Sequence, residues 1–157
     1  MKTAEFVFDD YAGHWDIERI GCRAVVVRDG KMLLTYAVNE DAWMIPGGGI
    51  EPGETDEECC IRETEEETGV IVLPGECFLE IVEYFENYRW VSRYFTCTVT
   101  GMGQRSLTEP EKAEGLETRW IPVEEIRTVF ASYSAYTDTR RGLYRREYTA
   151  LCEWENK

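Results

Sequence analysis

The sequence predicts an α/β domain in which helices cover a mixed β-sheet. Three observations carry this. Runs of β-branched and aromatic residues alternate with turn signals through both halves of the 157-residue chain. One strongly acidic segment between them has the start and stop of a helix. Near the C-terminus, apolar residues recur at helical spacing. Strands interleaved with helices in this order suit a layered architecture. The length suits one hydrophobic core, so a single domain over residues 1–157 is expected. Residues 1–19 read as an N-terminal extension whose Phe6, Phe8, Tyr11 and Trp15 pack onto it.

Each element has its own signal. Residues 22–28 (CRAVVVR) and 32–36 (MLLTY) flank Asp29-Gly30-Lys31, a strong hairpin signal. Trp43-Met44-Ile45 is a short apolar run stopped by Pro46 and three glycines. Thr55 with Glu58 three residues on makes a capping-box pattern. Gly69 sits where a helix-ending glycine belongs. A helix is therefore predicted over 56–68, followed by the strand start Val70-Ile71-Val72. Residues 77–86 and 90–100 read as two strands joined at Asn87-Tyr88-Arg89. The polar, Gly-containing segment 101–116 reads as a loop, and 117–121 as a short strand. Pro122 opens a helix at a position where proline is tolerated. Tyr144, Tyr148 and Leu151 predict a C-terminal helix over about 143–154.

Composition narrows the function. Lys and Arg number 17 against 31 Asp and Glu, a formal charge of −14. That balance argues against binding a nucleic-acid polymer or an anionic membrane surface. It leaves room for a small phosphorylated ligand, because a bound cation reverses the local sign. The six cysteines form no C-x-x-C pair and no zinc-finger spacing. The N-terminal MKTAEFVFDD lacks a signal-peptide core, and no apolar stretch approaches the roughly 18 residues of a membrane span. Reduced thiols in the cytoplasm are expected.

The chemistry concentrates in residues 47–70, GGGIEPGETDEECCIRETEEETGV, where Arg62 is the one cation among many carboxylates. Glu63, Glu66 and Glu67 share one helix face, being spaced i, i+3 and i+4. Cys60, Ile61, Thr64 and Thr68 share the core side, a poor apolar stripe. Three carboxylates on one face read in two ways. They are a solvated surface, the usual meaning of a charge run, or oxygen ligands for Mg²⁺ or Mn²⁺. The loop Pro46-Gly47-Gly48-Gly49 favours the second reading, since its backbone can approach a ligand closely and add a carbonyl.

These residues resemble the Nudix box, G-x5-E-x7-R-E-U-x-E-E-x-G-U with U aliphatic. Here the pattern reads Gly48, Glu54, Arg62-Glu63, Glu66-Glu67, Gly69 and Val70. Thr64 departs from it, standing where the family usually carries an aliphatic residue. The resemblance implies the Nudix fold, an α/β/α sandwich with a mixed β-sheet. It implies Mg²⁺-dependent hydrolysis of a nucleoside diphosphate linked to another group, with Mn²⁺ as a substitute metal. Glu63, Glu66, Glu67 and the Gly48 carbonyl match metal ligands. Arg62 and Glu54 match the pair that orients the cluster, with Glu66 and Glu63 also catalytic. Glu114, in the acidic segment before Trp120, resembles a loop glutamate that completes the site in some members, and Glu111 is its rival. Arg23, with Arg19 four residues earlier, matches an arginine that reaches substrate phosphates. Trp43 is a candidate to stack a base and equally a core residue. Tyr88 falls 18 residues after Val70, where some members that act on dinucleoside polyphosphates carry a tyrosine.

Other readings stay open. The chain is a nucleotide-binding module without turnover if the box is only a fold signature. Glu57, Glu58 and Glu65 read as solvated, His14 as a surface residue, and Cys59-Cys60 as small hydrophobes. Arg140, Arg141, Arg145 and Arg146 read as surface salt-bridging residues or phosphate contacts. The resemblance implies a small-molecule nucleotide partner and a homodimer. It does not name the nucleotide.

Overall fold

The computed structural model describes residues 1–157. Its strands are β1 (Lys2–Val7), β2 (Ile17–Arg28), β3 (Lys31–Ala37), β4 (Ala42–Met44), β5 (Gly47–Gly49), β6 (Val70–Phe85), β7 (Tyr88–Met102) and β8 (Leu116–Pro122). They form a mixed sheet in the order β1-β6-β7-β2-β3-β4, with β5 paired to β2 and β8 to β3. The helices are α1 (Asp56–Thr68), α2 (Glu109–Glu114), α3 (Val123–Ala131) and α4 (Thr139–Glu155). None of them is long and apolar enough to cross a membrane.

Alternation along β2 divides the core in two. Cys22, Ala24 and Val26 face α1, where they meet Cys59, Cys60, Val70 and Phe95. Val25 faces the other side, with Ile81, Tyr94, Ile126, Tyr144 and Leu151. Successive side chains of a strand point to opposite faces, so one apolar run supplies both layers. The result is the α/β/α sandwich over a mixed sheet that the sequence predicts.

Six details differ from the sequence reading. Residues 2–7 form an edge strand, parallel to β6 from Lys2↔Leu79 to Val7↔Tyr84. Only Ala4 and Phe6 face inward, and six residues with the other four exposed give too short a pattern to read. Phe8 packs on Phe85 and Tyr11 on Tyr84, whereas Trp15 is left exposed. The β6–β7 turn is Glu86-Asn87, one step earlier than expected, with Phe85 paired to Tyr88 and Glu86 at φ 49°. Residues 70–85 form one strand, whose register slips around Pro74 instead of ending there. Helix α4 starts four residues before its first apolar signal, because Asp138 caps it by accepting from Arg140 N. The expected loop 101–116 contains the short helix α2.

Helix α1 has the predicted bounds, with Thr55 and Glu58 closing the capping box and Gly69 in the left-handed conformation at φ 79°. Arg93 of β7 pins its first turn, reaching Asp56 at 3.0 Å and Glu80 at 3.0 Å. Thr64 is fully buried and its hydroxyl has no partner. An unsatisfied buried hydroxyl costs about 1–3 kcal/mol, and removing it at constant shape recovers part of that. Thr64→Val is expected to raise unfolding stability by about 1 kcal/mol, read as a higher urea midpoint at unchanged m-value.

Candidate active site

The site is assembled where α1 leans over the glycine loop. β5 pairs antiparallel with β2, placing Gly48 opposite Cys22 and Gly47 opposite Arg23. A Cβ on Gly48 would come within 2.5 Å of the Glu63 carboxylate. Only glycine lets backbone and carboxylate approach this closely. The Gly48 carbonyl accepts from the Cys59 thiol at 3.4 Å, which holds it beside the helix.

Arg62 organises the carboxylates. Its Nε and Nη2 grip both oxygens of Glu54 at 2.6 and 2.9 Å, and Nη2 also reaches the Gly49 carbonyl at 3.0 Å. Its Nη1 donates to Glu63 at 2.9 Å and to Glu66 at 3.3 Å. A guanidinium offers donors in a rigid fork that suits this work, and an ammonium does not. Arg62 holds the Glu54 carboxyl down at about 2.

Glu67 is the deepest of the box glutamates, 8% exposed. It accepts from Gly47 N at 2.9 Å. Burial pushes its pKa well above the usual carboxylate range; the Gly47 amide and nearby Arg23 oppose the rise, and Glu111 adds to it. Burial likewise raises Glu63. Glu66 is the most open of the three, its side chain 37% exposed.

No three of the chain's Asp, Glu, His or Cys side chains already converge as a closed metal cage. Arg62 draws Glu63 and Glu66 toward itself instead. The donor set still fits a hard cation. Two carboxylates raised by burial lie beside a backbone cradle that no side chain could enter. A buried carboxylate without enough positive charge nearby is costly. Oxygen donors from Glu63, Glu66, Glu67 and the Gly48 carbonyl are what Mg²⁺ or Mn²⁺ takes.

Of the loop glutamates, the structure brings Glu111 to the cluster. It presses on Glu67 and adds its field at Glu63. Glu114 lies instead with Glu40 and Glu111, one helical turn away. The sequence reading put Glu114 first for its place before Trp120 at the end of the acidic segment, with Glu111 as its rival. The signal that locates Glu111 was present: Thr108 and Glu111 repeat the capping-box spacing of Thr55 and Glu58. The segment is tied to α1 by Gly103 N on Gly69 O and Ser106 N on Glu66 O, both at 2.7 Å. Glu65, read as solvated, accepts from Gln104 N at 3.4 Å in the same tether.

Arg23 is buried beside the cluster, giving Nη1 to the Ile45 carbonyl at 3.0 Å while its Nε has no partner. Trp43 packs on Tyr36 with centroids 4.3 Å apart, and its amide donates to the Tyr144 hydroxyl, so it serves the core. Tyr88 stacks on Phe85 at the β6–β7 turn, away from the box. The four C-terminal arginines scatter: Arg140 pairs with Asp138, Arg141 caps backbone carbonyls, Arg145 covers Phe6, and Arg146 is buried.

The family model for the NUDIX domain matches residues 18–142. An RNA pyrophosphohydrolase of Erythrobacter litoralis is 27% identical over 164 residues, covering 89% of this chain and 96% of the relative. An 8-oxo-dGDP phosphatase of Homo sapiens is 33% identical over 103 residues, covering 64% of this chain and 31% of that protein. The chain thus spans about a third of the human relative. Among solved structures, a NUDIX hydrolase from Nitrosomonas europaea superposes with a TM-score of 0.62 at 24% identity, covering 84% of this chain and 88% of that one.

The sign of the Glu54 shift sets an acid dependence. Its folded pKa lies below its ordinary 4.5, so the stability it contributes is present above that value and lost as pH falls toward about 2. Glu54→Gln is expected to lower stability at pH 7 and to flatten the loss between those two pH values, read by chemical denaturation across that range.

Proposed function

The chain belongs to the Nudix family, and we propose that it is a Mg²⁺-dependent hydrolase of the diphosphate linkage in a nucleoside diphosphate joined to another group. The observation that carries this is Glu67, a buried carboxylate held by Gly47 N next to Glu63 and the Gly48 cradle. Two of its relatives, an RNA pyrophosphohydrolase and an 8-oxo-dGDP phosphatase, point to the same broad chemistry.

Glu63, Glu66, Glu67 and the Gly48 carbonyl would hold Mg²⁺, which when bound polarises phosphoryl oxygens and lowers the pKa of water at the site. The chain's own residues do the rest. Arg62 keeps Glu54, Gly49, Glu63 and Glu66 in one arrangement. Glu66, the most open of the three box ligands, can take a proton from the attacking water. Glu111 is better placed than Glu114 to complete the carboxylate set. Arg23, with its Nε unpaired at the base of the glycine loop, supports the phosphates.

The test is a panel of nucleoside triphosphates, dinucleotides, nucleotide sugars and oxidised nucleotides, with Mg²⁺ or Mn²⁺ and with chelator. Metal-dependent release of phosphate or mononucleotide is expected. Nucleotide-induced thermal stabilisation without turnover in either metal would make the chain a binding module instead.

Two variants locate the machinery. Loss of groups that merely orient a metal ligand costs 10–100-fold, so Glu67→Gln is expected to lower kcat by at least about 100-fold. Its melting temperature should hold or rise, since a buried charge is removed. Glu111→Gln is expected to lower kcat by about 10-fold or more, whereas Glu114→Gln leaves it within about 2-fold. Steady-state kinetics of the two side by side decides between them.

A further inference from the structure

The glycine loop is held from behind by α4. Strand β4 ends the sheet order, so no further strand pairs with its free edge. Alternate amides of an edge strand point away from the sheet; here they are those of Trp43 and Ile45. The helix supplies their partners. Trp43 N donates to the Tyr144 hydroxyl at 3.2 Å, and Ile45 N donates to Glu147 Oε2 at 2.7 Å. Residues three apart on a helix share a face, so Tyr144 and Glu147 match the two-residue repeat of the strand.

Stability does not explain why one of these partners is a carboxylate. Glu147 is completely buried. Besides Ile45 N, it accepts at Oε1 from the Tyr94 hydroxyl and from Arg146 Nε, the latter at 3.1 Å. Tyr94 and Arg146 are buried with it. A buried ionic network is often no more stable than apolar side chains of the same volume. Three donors on one carboxylate do fix its place, and with it the place of the amide it holds.

That amide leads into the loop. Arg23 Nη1 donates to the Ile45 carbonyl at 3.0 Å, Ala24 N donates to the Pro46 carbonyl at 2.9 Å, and Gly47 N donates to Glu67 at 2.9 Å. Proline has a fixed φ and keeps the residue before it extended. Little freedom therefore remains between Ile45 N and Gly47 N to absorb a displacement. Gly47 is also pressed against β2, where an added Cβ would run into the Cys22 carbonyl. A shift at Ile45 is passed to Gly47, to the Glu67 carboxylate that Gly47 holds, and to Arg23.

We infer that Glu147, on the sheet face opposite the box, is a positioning residue for hydrolysis: it clamps the Ile45 peptide and so keeps Glu67 and Arg23 where metal and phosphate would meet them. This rests on the hydrolase reading above and deepens it. Misplacing a reacting group by about 1 Å costs about 100-fold in rate, so a carboxylate that touches no substrate can govern kcat. Glu147 lies beyond residues 18–142, which match the family model, so the box draws this support from the last helix of the chain.

Hydrogen exchange of the Gly47 amide in the metal-free protein reads the clamp without turnover. Glu147→Met removes the acceptor at similar volume, and Gly47 exchange is expected to rise at least about 10-fold. Tyr144→Phe frees the Trp43 amide on the same edge and should leave Gly47 exchange within about 2-fold. With Mg²⁺ and a nucleotide that the unaltered chain hydrolyses, Glu147→Met should lower kcat at least about 10-fold and leave KM within about 3-fold. Should Glu147→Met fail to fold, Glu147→Asp, which keeps the charge but falls one methylene short of Ile45, gives the second reading through the same two losses. Unchanged Gly47 exchange, or equal losses in Tyr144→Phe, would overturn the inference. Full turnover in the Glu147 variant sinks it and leaves the hydrolase reading standing. Faster Gly47 exchange in a chain that hydrolyses no nucleotide keeps the clamp and sinks the hydrolase reading.

Discussion

Arg62 grips Glu54 with two parallel donors, and the same guanidinium reaches Gly49, Glu63 and Glu66. Without that one cation, the stretch from Gly47 to Val70 would be a loop and a helix of like charges pressed together. The guanidinium converts repulsion into geometry. It fixes the carbonyl side of the glycine loop to the second turn of α1. The Gly47 and Gly48 peptides are then held against Glu67 and Glu63. A lysine could neutralise one carboxylate, but it could not bridge loop and helix through a fixed fork.

That constraint depends on α1 being anchored to the sheet, and the anchoring is only partly hydrophobic. Cys59 and Cys60 are fully buried, but Thr64 brings an unpaired hydroxyl into the same interface. The Arg93 contacts to Asp56 and Glu80 make up for a thin apolar stripe. The capping box and the left-handed Gly69 then fix where the helix starts and stops. Stability was given up along this helix where Glu67 had to remain a buried carboxylate.

The sequence showed most of this helix and little of what surrounds it, for physical reasons. Capping boxes, glycine stops and the i, i+3, i+4 face are local rules, so residues 56–68 and the set Glu63, Glu66 and Glu67 could be read directly. The loop glutamate depended on three hydrogen bonds given by the Gly103, Gln104 and Ser106 amides to Gly69 O, the Glu65 carboxylate and Glu66 O, which no spacing rule shows. Glu111 thus came second to Glu114, although its own capping box was legible. The β1 strand was hidden because an edge strand with two inward side chains has almost no pattern. Trp43 had two readings from sequence, and only the Tyr36 and Tyr144 contacts favoured the core one.

The division of the sheet into two faces gives the molecule its economy. Cys22, Ala24 and Val26 support the helix that bears the acidic box, while Arg19 and Arg23 leave β2 on the opposite side. Charge of one sign is thus gathered on α1, and the positive side chains that a phosphate needs stand across the glycine loop from it. The net charge of −14 would repel an anionic ligand in bulk. At short range, however, the field is set by the nearest groups rather than by the total. Arg19 and Arg23 at the glycine loop are among those nearest groups. An acidic protein can therefore present an anion-binding edge, provided its few arginines stand where the phosphates would lie.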